Sequence, residues 1–274
     1  YGSETSSATR SRGVFSLPDS KLKHDNRPER SFQQSDYGSD CVHWGKTAFT
    51  SWEFDQNHPD YAGQFIWTGF DYLGEPTPWH NQNDTPAKSS YFGIVDTAGF
   101  PKSDYYFYQS KWSQEAMLHL IPHWTWDENK IKDFLQSDDG KIPVRIYTNC
   151  HHAELFLNNR SLGKKSYEKP HYLSLNGEGY FEWRVQYEPG TLHAKAWNDP
   201  EHVLDTSITT ASTAHKISLD AKQYDQLHYI EVSAQDKNGH FHPWADHLID
   251  FKLEGDGKIV GVDNGNPSSL ERYQ

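Results

Sequence analysis

The spacing of apolar side chains in the first part of the chain predicts two helices on either side of a buried strand. Four large or apolar residues recur at helical intervals: Trp44, Ala48, Phe49 and Trp52. The His58-Pro59 step ends that helix, because the residue before a proline avoids the helical conformation. Residues 65–67 form a short apolar run typical of a buried parallel strand, and residues 105–112 predict the second helix. This order indicates α/β structure over residues 1–117.

From Leu118 onward the pattern changes to short stretches in which apolar and polar residues alternate. Such alternation is typical of half-buried strands, and it occurs at residues 144–147, 153–157, 181–185 and 192–196. Turn-forming residues stand between these stretches at 158–159 and 188–190. The pattern predicts a β-sandwich over residues 118–212.

A second β unit begins near Thr213. Its predicted strands are residues 217–219, 229–232 and 249–253, and its predicted turns are residues 236–239 and 254–257. About sixty residues are few for a complete immunoglobulin-like sandwich. We therefore expect residues 213–274 to be a second, truncated sandwich domain.

Composition excludes some classes of function and favours one. The net charge is −12 and the basic residues are scattered, which argues against a nucleic-acid-binding protein or a polybasic membrane anchor. No apolar run has the length of a membrane helix. The 15% of aromatic residues include 10 Trp, which suits either packing against sugar rings or an aromatic core. Cys41 and Cys150 lack metal-ligand spacing, and we expect buried thiols.

Several carboxylates in the first third of the chain are candidates for acid–base or nucleophilic chemistry. Hydrolysis of a glycosidic bond uses two carboxyl groups that face one sugar, and in retaining enzymes these groups are about 5–5.5 Å apart. Spacing along the chain does not show which two could meet. The candidates are Glu4, Asp36, Asp40, Glu53, Asp71, Glu75 and Asp96.

Motifs in this region resemble glycoside hydrolase family 2, in particular its bacterial β-galactosidase branch. Residues 2–7 and 11–14 resemble the segment around the nucleophile at the end of barrel strand seven. Residues 63–79 resemble strand eight and its following loop, and residues 89–96 and 99–102 continue the similarity into the last barrel helix. Residues 143–188 are similar to the sandwich domain that follows the barrel. The resemblance implies the last strands and helices of a TIM (β/α)8 barrel, followed by immunoglobulin-like β-sandwich domains.

The resemblance assigns a role to five residues. Glu4 takes the place of the catalytic nucleophile, and Trp67 takes the place of a Trp that forms the floor of the sugar subsite. Asp71 either binds a sugar hydroxyl or ties the following loop. Glu75 and Trp79 either line the mouth of the site or stabilise that loop.

The sequence also departs from the family pattern. Ser7 stands where well-known bacterial β-galactosidases have a sugar-binding His, and the Asn that helps to bind sodium near Phe92 is missing. We therefore predict no cofactor and no metal site. The family's acid/base is a Glu preceded by Asn, far upstream of the nucleophile, and no such pair precedes Glu4. The sequence opens on Tyr1 without an initiating Met, so we expect a longer parent chain.

The predicted function is hydrolysis of terminal β-galactosides by a retaining mechanism, and this fragment alone is expected to be inactive. A β-glucuronidase or β-mannosidase of the same family is the alternative enzyme. A non-catalytic carbohydrate-binding or structural fragment is the alternative of another class. We expect a carbohydrate as partner, with no nucleic acid and no membrane, and leave open whether the parent forms a homo-oligomer. A periplasmic or secreted parent is expected, with a cytoplasmic one as the alternative.

Overall fold

The structure is a computed structural model and describes residues 1–17, 32–38, 40–79, 88–137, 139–167 and 179–273. Residues 80–87, which follow the segment that resembles strand eight and its loop, lie outside the described residues.

The first region contains two parallel strands, each followed by a helix. Its elements are β1 (Gly2–Ser6), α1 (Ala48–Asn57), β2 (Gln64–Trp67) and α2 (Ser103–Trp112). The strands pair with Thr5 opposite Ile66 and Ser6 opposite Trp67, and the register is irregular between Gly2 and Thr5. Two consecutive units of a (β/α)8 barrel have this arrangement. The barrel itself stays a prediction, because closure requires further strands.

Both predicted helices and the predicted parallel strand are present, but the strand is not buried, since Phe65 is 66% exposed. A second correction concerns the start of α1. Helix α1 begins after Thr47, whose side chain accepts a hydrogen bond from the Thr50 backbone, and it ends at His58 as expected. Trp44 lies outside the helix. The backbone amide of Lys46 donates instead to the carbonyl of Ser6, 2.6 Å away, which holds this stretch against the end of β1.

The second region contains two antiparallel sheets that share one apolar core. One sheet has the order β3-β4-β7 and the other has the order β6-β5-β8-β9. The elements are β3 (Leu118–Ile121), α3 (Glu128–Leu135), β4 (Lys141–Thr148), β5 (His152–Leu157), β6 (Arg160–Ser166), β7 (Phe181–Gln186), β8 (Thr191–Trp197) and β9 (Val203–Thr209). The Asn158-Asn159 turn between β5 and β6 has φ angles of 51° and 65°, which suit the tight hairpin turn that the sequence predicts.

Helix α3 was not predicted, because the region after Leu118 was expected to be entirely β. Its sequence nevertheless carries a start signal. The Asp127 side chain accepts a hydrogen bond from the Lys130 backbone at 2.8 Å, as an N-cap residue does. Ile131 and Leu135, four positions apart, are the buried residues of this helix.

Strand β4 is buried on both faces and joins the two regions. Ile142, Val144 and Ile146 point into the sandwich core, opposite the apolar residues of β7. The other face meets the first region. There the Tyr37 hydroxyl donates to the Pro143 carbonyl at 2.8 Å, and residue Arg145 donates to the Tyr37 carbonyl. The sheet therefore supports the first region through specific polar contacts.

Residues 213–273 form one antiparallel hairpin, and the described residues after it form turns and irregular chain. The hairpin consists of β10 (Lys216–Tyr224) and β11 (Leu227–Gln235). The strand predicted at residues 249–253 is wrong, since these residues have no regular secondary structure and belong to no sheet. Their alternation fits a strand, but a strand also needs a neighbour for its backbone hydrogen bonds. The described residues of this unit do not form two packed sheets.

Two further predictions concern cysteines and membrane segments. Cys41 and Cys150 are both buried, and neither forms a disulfide. None of the helices in the described part of the chain has the length and apolar character needed to cross a membrane.

Candidate functional site

A cleft of about 380 Å³ lies beside β1 and the end of β2, and it contains three of the five predicted site residues. These are Glu4, Trp67 and Glu75. Glu4 is exposed on β1, and Trp67 is the last residue of β2. The other residues that line the cleft are Thr5, Ser6, Ser7, Trp44, Gly45, Lys46, Thr50, Ser51, Phe54, Asp55, Tyr61 and Phe92.

The backbone directly after Glu4 has an unusual conformation. Ser6 and Ser7 have φ angles of 70° and 54°, a region that residues other than glycine occupy at a cost of about 1–3 kcal/mol each. The surrounding contacts hold this turn in place. The Ser6 amide donates to the Ser51 hydroxyl at 3.1 Å, and the Lys46 amide donates to the Ser6 carbonyl. The end of β1 therefore bends sharply within the cleft.

Gly45 permits the close approach that this bend requires. A Cβ atom at this position would lie 2.6 Å from the Ser6 carbonyl oxygen, so any larger residue would displace the turn. The Val42 amide also donates to the Ser7 carbonyl at 3.3 Å. These contacts hold the Trp44 side chain, which is 57% exposed, beside the cleft. The sequence pattern did not single out Trp44 as a site residue.

Thr5 connects the strand of Glu4 to its neighbours. Its hydroxyl donates to the Gln64 side-chain oxygen at 2.7 Å, and the Gln64 amide group donates to Asp55 at 2.6 Å. This chain of bonds joins β1, β2 and α1. The position of Glu4 is thus set by side-chain bonds as well as by strand pairing.

Trp67 and Glu75 are linked through a tyrosine that the sequence did not single out. The Trp67 indole donates to the Tyr72 hydroxyl at 3.3 Å, and the Tyr72 hydroxyl donates to the Glu75 carboxylate. Burial, together with the bond to Glu75, raises the pKa of Tyr72 to about 12. Tyr72 therefore stays protonated and keeps donating to Glu75 near neutral pH. The peptide bond between Trp67 and Thr68 is cis.

Asp71 does not face the cleft. Its carboxylate pairs with the Lys102 ammonium group at 2.5 Å and accepts a bond from the Gly93 amide at 2.7 Å, with both charged side chains buried. Burial raises the pKa of Asp71 and lowers that of Lys102, in each case against the attraction between them. These contacts tie the loop after β2, and the binding of a sugar hydroxyl by Asp71 stays a prediction.

Trp79 is also not among the residues that line the cleft. Its side chain is 0% exposed, and its ring contacts Phe32 edge to face at 5.4 Å between centroids. The Trp79 amide donates to the Pro76 carbonyl at 2.8 Å. These contacts stabilise the loop, and a role of Trp79 at the mouth of the site stays a prediction.

Three other candidate carboxylates are buried in polar networks. Asp36 accepts bonds from the Gly13 and Ser103 amides at 2.9 and 3.1 Å, the latter at the start of α2. Burial raises the pKa of Asp36 to about 6. Asp96 pairs with Arg12 at 2.5 Å. Asp40 is buried as well, and Glu53 does not line the cleft.

Two of the seven candidate carboxylates, Glu4 and Glu75, therefore line the same cleft. Within the described ranges, no group of three or more His, Cys, Asp or Glu side chains could hold a metal ion.

The outer face of the four-stranded sheet bears on the carbohydrate-binding alternative. Trp197 and Phe156 project from this face, but lysines lie over their rings. The Lys164 ammonium group is 4.9 Å from the Trp197 centroid, and that of Lys195 is 5.7 Å from the Phe156 centroid. Rings covered in this way do not offer the open platform that a sugar would need.

Family comparisons match the two β regions. Residues 139–204 match a domain of unknown function (DUF4982), and residues 211–274 match the model described as glycoside hydrolase family 2 C-terminal domain 5.

Individual relatives extend the similarity to nearly the whole chain. Beta-galactosidase BoGH2A of Bacteroides ovatus is 36% identical over 99% of this chain and 31% of its own length. A protein of Formosa agariphila named "putative beta-glucuronidase" is 36% identical over 79% of this chain and 20% of its own length. The crystal structure of a beta-glycosidase from Bacteroides vulgatus matches with a TM-score of 0.80 and 31% identity, over 99% of this chain and 36% of that one. The chain thus spans about a third or less of the length of these relatives.

Proposed function

Since this chain belongs to glycoside hydrolase family 2, we propose that it supplies the nucleophile of a retaining β-galactosidase site, with Glu4 as that nucleophile. The observation that carries the proposal is the shared cleft. Glu4, one of the seven candidate carboxylates, lies on β1 and lines the cleft. Trp67 and Glu75 line the same cleft. Catalytic residues of barrel enzymes lie toward the carboxyl ends of parallel strands, and Glu4 is the third of the five residues of β1.

The first chemical step forms a bond between Glu4 and the sugar. The Glu4 carboxylate attacks the anomeric carbon while the bond from that carbon to the leaving oxygen breaks, and an acid protonates the leaving oxygen. The product is a covalent glycosyl-enzyme ester. In the second step the same acid, now a base, takes a proton from water, and the water oxygen displaces Glu4. Two inversions retain the β configuration.

The acid/base is assigned to a part of the protein outside this chain. Glu75 is the other glutamate of the cleft, but its carboxylate already accepts a bond from the Tyr72 hydroxyl. Tyr72 stays protonated near neutral pH, which keeps Glu75 as an acceptor. We assign Glu75 to the binding of substrate hydroxyl groups and Trp67 to stacking on the apolar face of the sugar.

The charges that line the cleft favour a neutral sugar. Glu4, Asp55 and Glu75 contribute three carboxylates, and Lys46 contributes one ammonium group. The net negative charge there would repel a glucuronate carboxylate, whereas galactose has no charged group to be repelled. The β-galactosidase relative supports the same choice, and the Formosa agariphila relative keeps β-glucuronides as the second candidate substrate.

Labelling of the full-length protein tests the identity of the nucleophile. A 2-deoxy-2-fluoro-β-galactoside with a good leaving group should trap the ester, and peptide mass spectrometry should find the label on Glu4. The Glu4→Gln variant should lose turnover by roughly 10³-fold or more. Glu53→Gln, on α1 outside the cleft lining, is the matched control and should keep full activity. A label on any other residue would overturn the assignment.

A panel of nitrophenyl β-glycosides tests the substrate class on the same protein. We expect the largest kcat/KM for the galactoside. A larger value for the glucuronide would replace the proposed substrate with the second candidate while leaving the role of Glu4 intact.

A further inference from the structure

We propose that the C-terminal segment of residues 262–273 is a positioning element for the loops that carry the active site and thereby sets substrate affinity. This inference rests on the proposed function. The segment lies within the matched C-terminal domain, about 200 residues after the cleft residues in sequence. The contacts that follow join it to the loops after β1 and β2.

The first contact is a two-step backbone link from the segment to Glu75. The Lys88 amide donates to the Pro267 carbonyl at 3.1 Å, and the Gly74 amide donates to the Lys88 carbonyl at 2.9 Å. Gly74 directly precedes Glu75, whose carboxylate lines the cleft. The backbone of Lys88 is therefore held between the C-terminal segment and the turn that presents Glu75.

The side chain of Lys88 strengthens the same link. Its ammonium group donates to the Glu271 carbonyl at 3.1 Å and lies 4.3 Å from the centroid of the Tyr273 ring. A cation over an aromatic face is attracted to the electrons of the ring. Side chain and backbone of one residue thus bind three positions of the segment.

A second contact reaches the loop after β1. The Arg12 guanidinium group donates to the Asn264 carbonyl at 3.1 Å and pairs with Asp96 at 2.5 Å. Gly265 packs directly on the Asp96 carboxylate with a φ of 69°, and a Cβ there would overlap the carboxylate oxygens. Only glycine fits this position, because it adopts the left-handed backbone conformation without strain and has no Cβ to clash with the Asp96 carboxylate.

A third contact involves Gln33, which lies between β1 and α1. Its side-chain amide donates to Asn266 at 2.9 Å and to Ser268 at 2.8 Å. The segment therefore binds residues from both loops that follow the two parallel strands. Ligands of α/β folds bind to such loops at the carboxyl ends of strands. A change in the segment should consequently shift the substrate-binding loop while Glu4 stays on its strand.

Gly265→Ala in the full-length protein is the principal test. The added methyl group should displace the segment, raise KM for the nitrophenyl β-glycoside about tenfold, and change kcat by less than about threefold. Two glycines of the same region are matched controls. Gly255→Ala shares the left-handed backbone, with φ of 102°, but has no atom near the added Cβ, and Gly261→Ala has only an ordinary contact at 3.6 Å. Both should leave KM unchanged.

A milder variant avoids a loss of folding. Lys88→Met removes the bond to Glu271 and the contact with Tyr273, and we expect KM to rise about threefold. Lys130→Met is its control, because Lys130 also lies over an aromatic ring, that of Trp244 at 5.2 Å, while its ion pair is with Asp127 at the start of α3. Unchanged KM in both Gly265→Ala and Lys88→Met, with lower melting temperature alone, would overturn the positioning role.

Hydrogen exchange separates this inference from the proposed function. In Gly265→Ala the amides of Lys88 and Gly74 should exchange at least about tenfold faster than in the wild-type protein, whatever the enzyme hydrolyses. Full activity of Glu4→Gln would refute the proposed function and leave this exchange result standing. Unchanged exchange at both amides would refute the positioning element even in an active enzyme.

Discussion

The first region buries many charged side chains beside its aromatic ones, whereas the buried side chains of the sandwich are mostly apolar. Near the candidate site the buried side chains include Arg10, Asp36, Asp71, Lys102 and Asp104. The sandwich core instead contains Ile142, Val144, Ile146, Leu155, Leu157 and Leu192, each at most 1% exposed.

The difference teaches how each region specifies its structure. An apolar core tolerates many arrangements of about the right volume, whereas a buried charge requires a partner at a defined place. Lys102, for example, contacts Asp71, the Arg10 carbonyl and the Tyr91 carbonyl. Those three contacts connect segments that the chain separates widely. The region that carries the proposed chemistry is therefore the region ordered by directional contacts.

Breaking a buried ion pair should have the largest effect. Lys102→Met leaves the Asp71 carboxylate buried without its cation, and we expect the free energy of unfolding of the full-length protein to fall by about 3–5 kcal/mol. Urea denaturation followed by tryptophan fluorescence measures it. The double variant Lys102→Met/Asp71→Leu should recover part of the loss. If the single variant costs less than about 1 kcal/mol, the directional contacts do not hold this region.

A cavity in the sandwich should cost somewhat less. Leu155→Ala removes a side chain that is 0% exposed, and we expect a loss of about 3 kcal/mol in the same measurement. Leu162→Ala is the matched control, because Leu162 is only partly buried at the edge of the same core. Equal losses for the two leucines would contradict the close packing described for this sheet.

The pH dependence of stability should distinguish the two regions. The native pKa of Asp36 is about 6, above its ordinary value of 3.8, so the folded state holds this proton more tightly than the unfolded state. The contribution of Asp36 therefore lowers stability as pH rises from about 4 to 6, by up to about 1.4 kcal/mol per pH unit. Asp36→Asn should lack this slope when unfolding is measured across that range. An identical slope in the variant would contradict the assignment.

Removing a surface ion pair of the sandwich should have the smallest effect. Arg160 and Glu188 are 2.7 Å apart, and their side chains are 62% and 45% exposed. We expect Arg160→Ala to change the free energy of unfolding by less than about 1 kcal/mol. A loss as large as that of Lys102→Met would show that exposure does not separate the two kinds of ion pair in this protein.

Local elements could be predicted from sequence because their signals are local. Alternating residues marked strands β4, β5, β7 and β8, and helical spacing marked α1 and α2. Where the prediction was wrong, a second requirement was decisive. In residues 249–253 apolar and polar side chains alternate, but no neighbouring strand pairs with them. Residues 128–135 form a helix within a mostly β region, because Asp127 caps its first turn.

The sequence by itself predicted most of the elements and, through the resemblance of its motifs, Glu4 as the proposed nucleophile among seven carboxylates. Only the tertiary structure decided which side chains share the cleft. It places Trp67 and Glu75 beside Glu4, buries Asp71 against Lys102 and Trp79 against Phe32, and brings Asn264 to Arg12. The physical reason is that exposure and pairing depend on contacts between residues far apart in the chain, such as the 252 positions between Arg12 and Asn264.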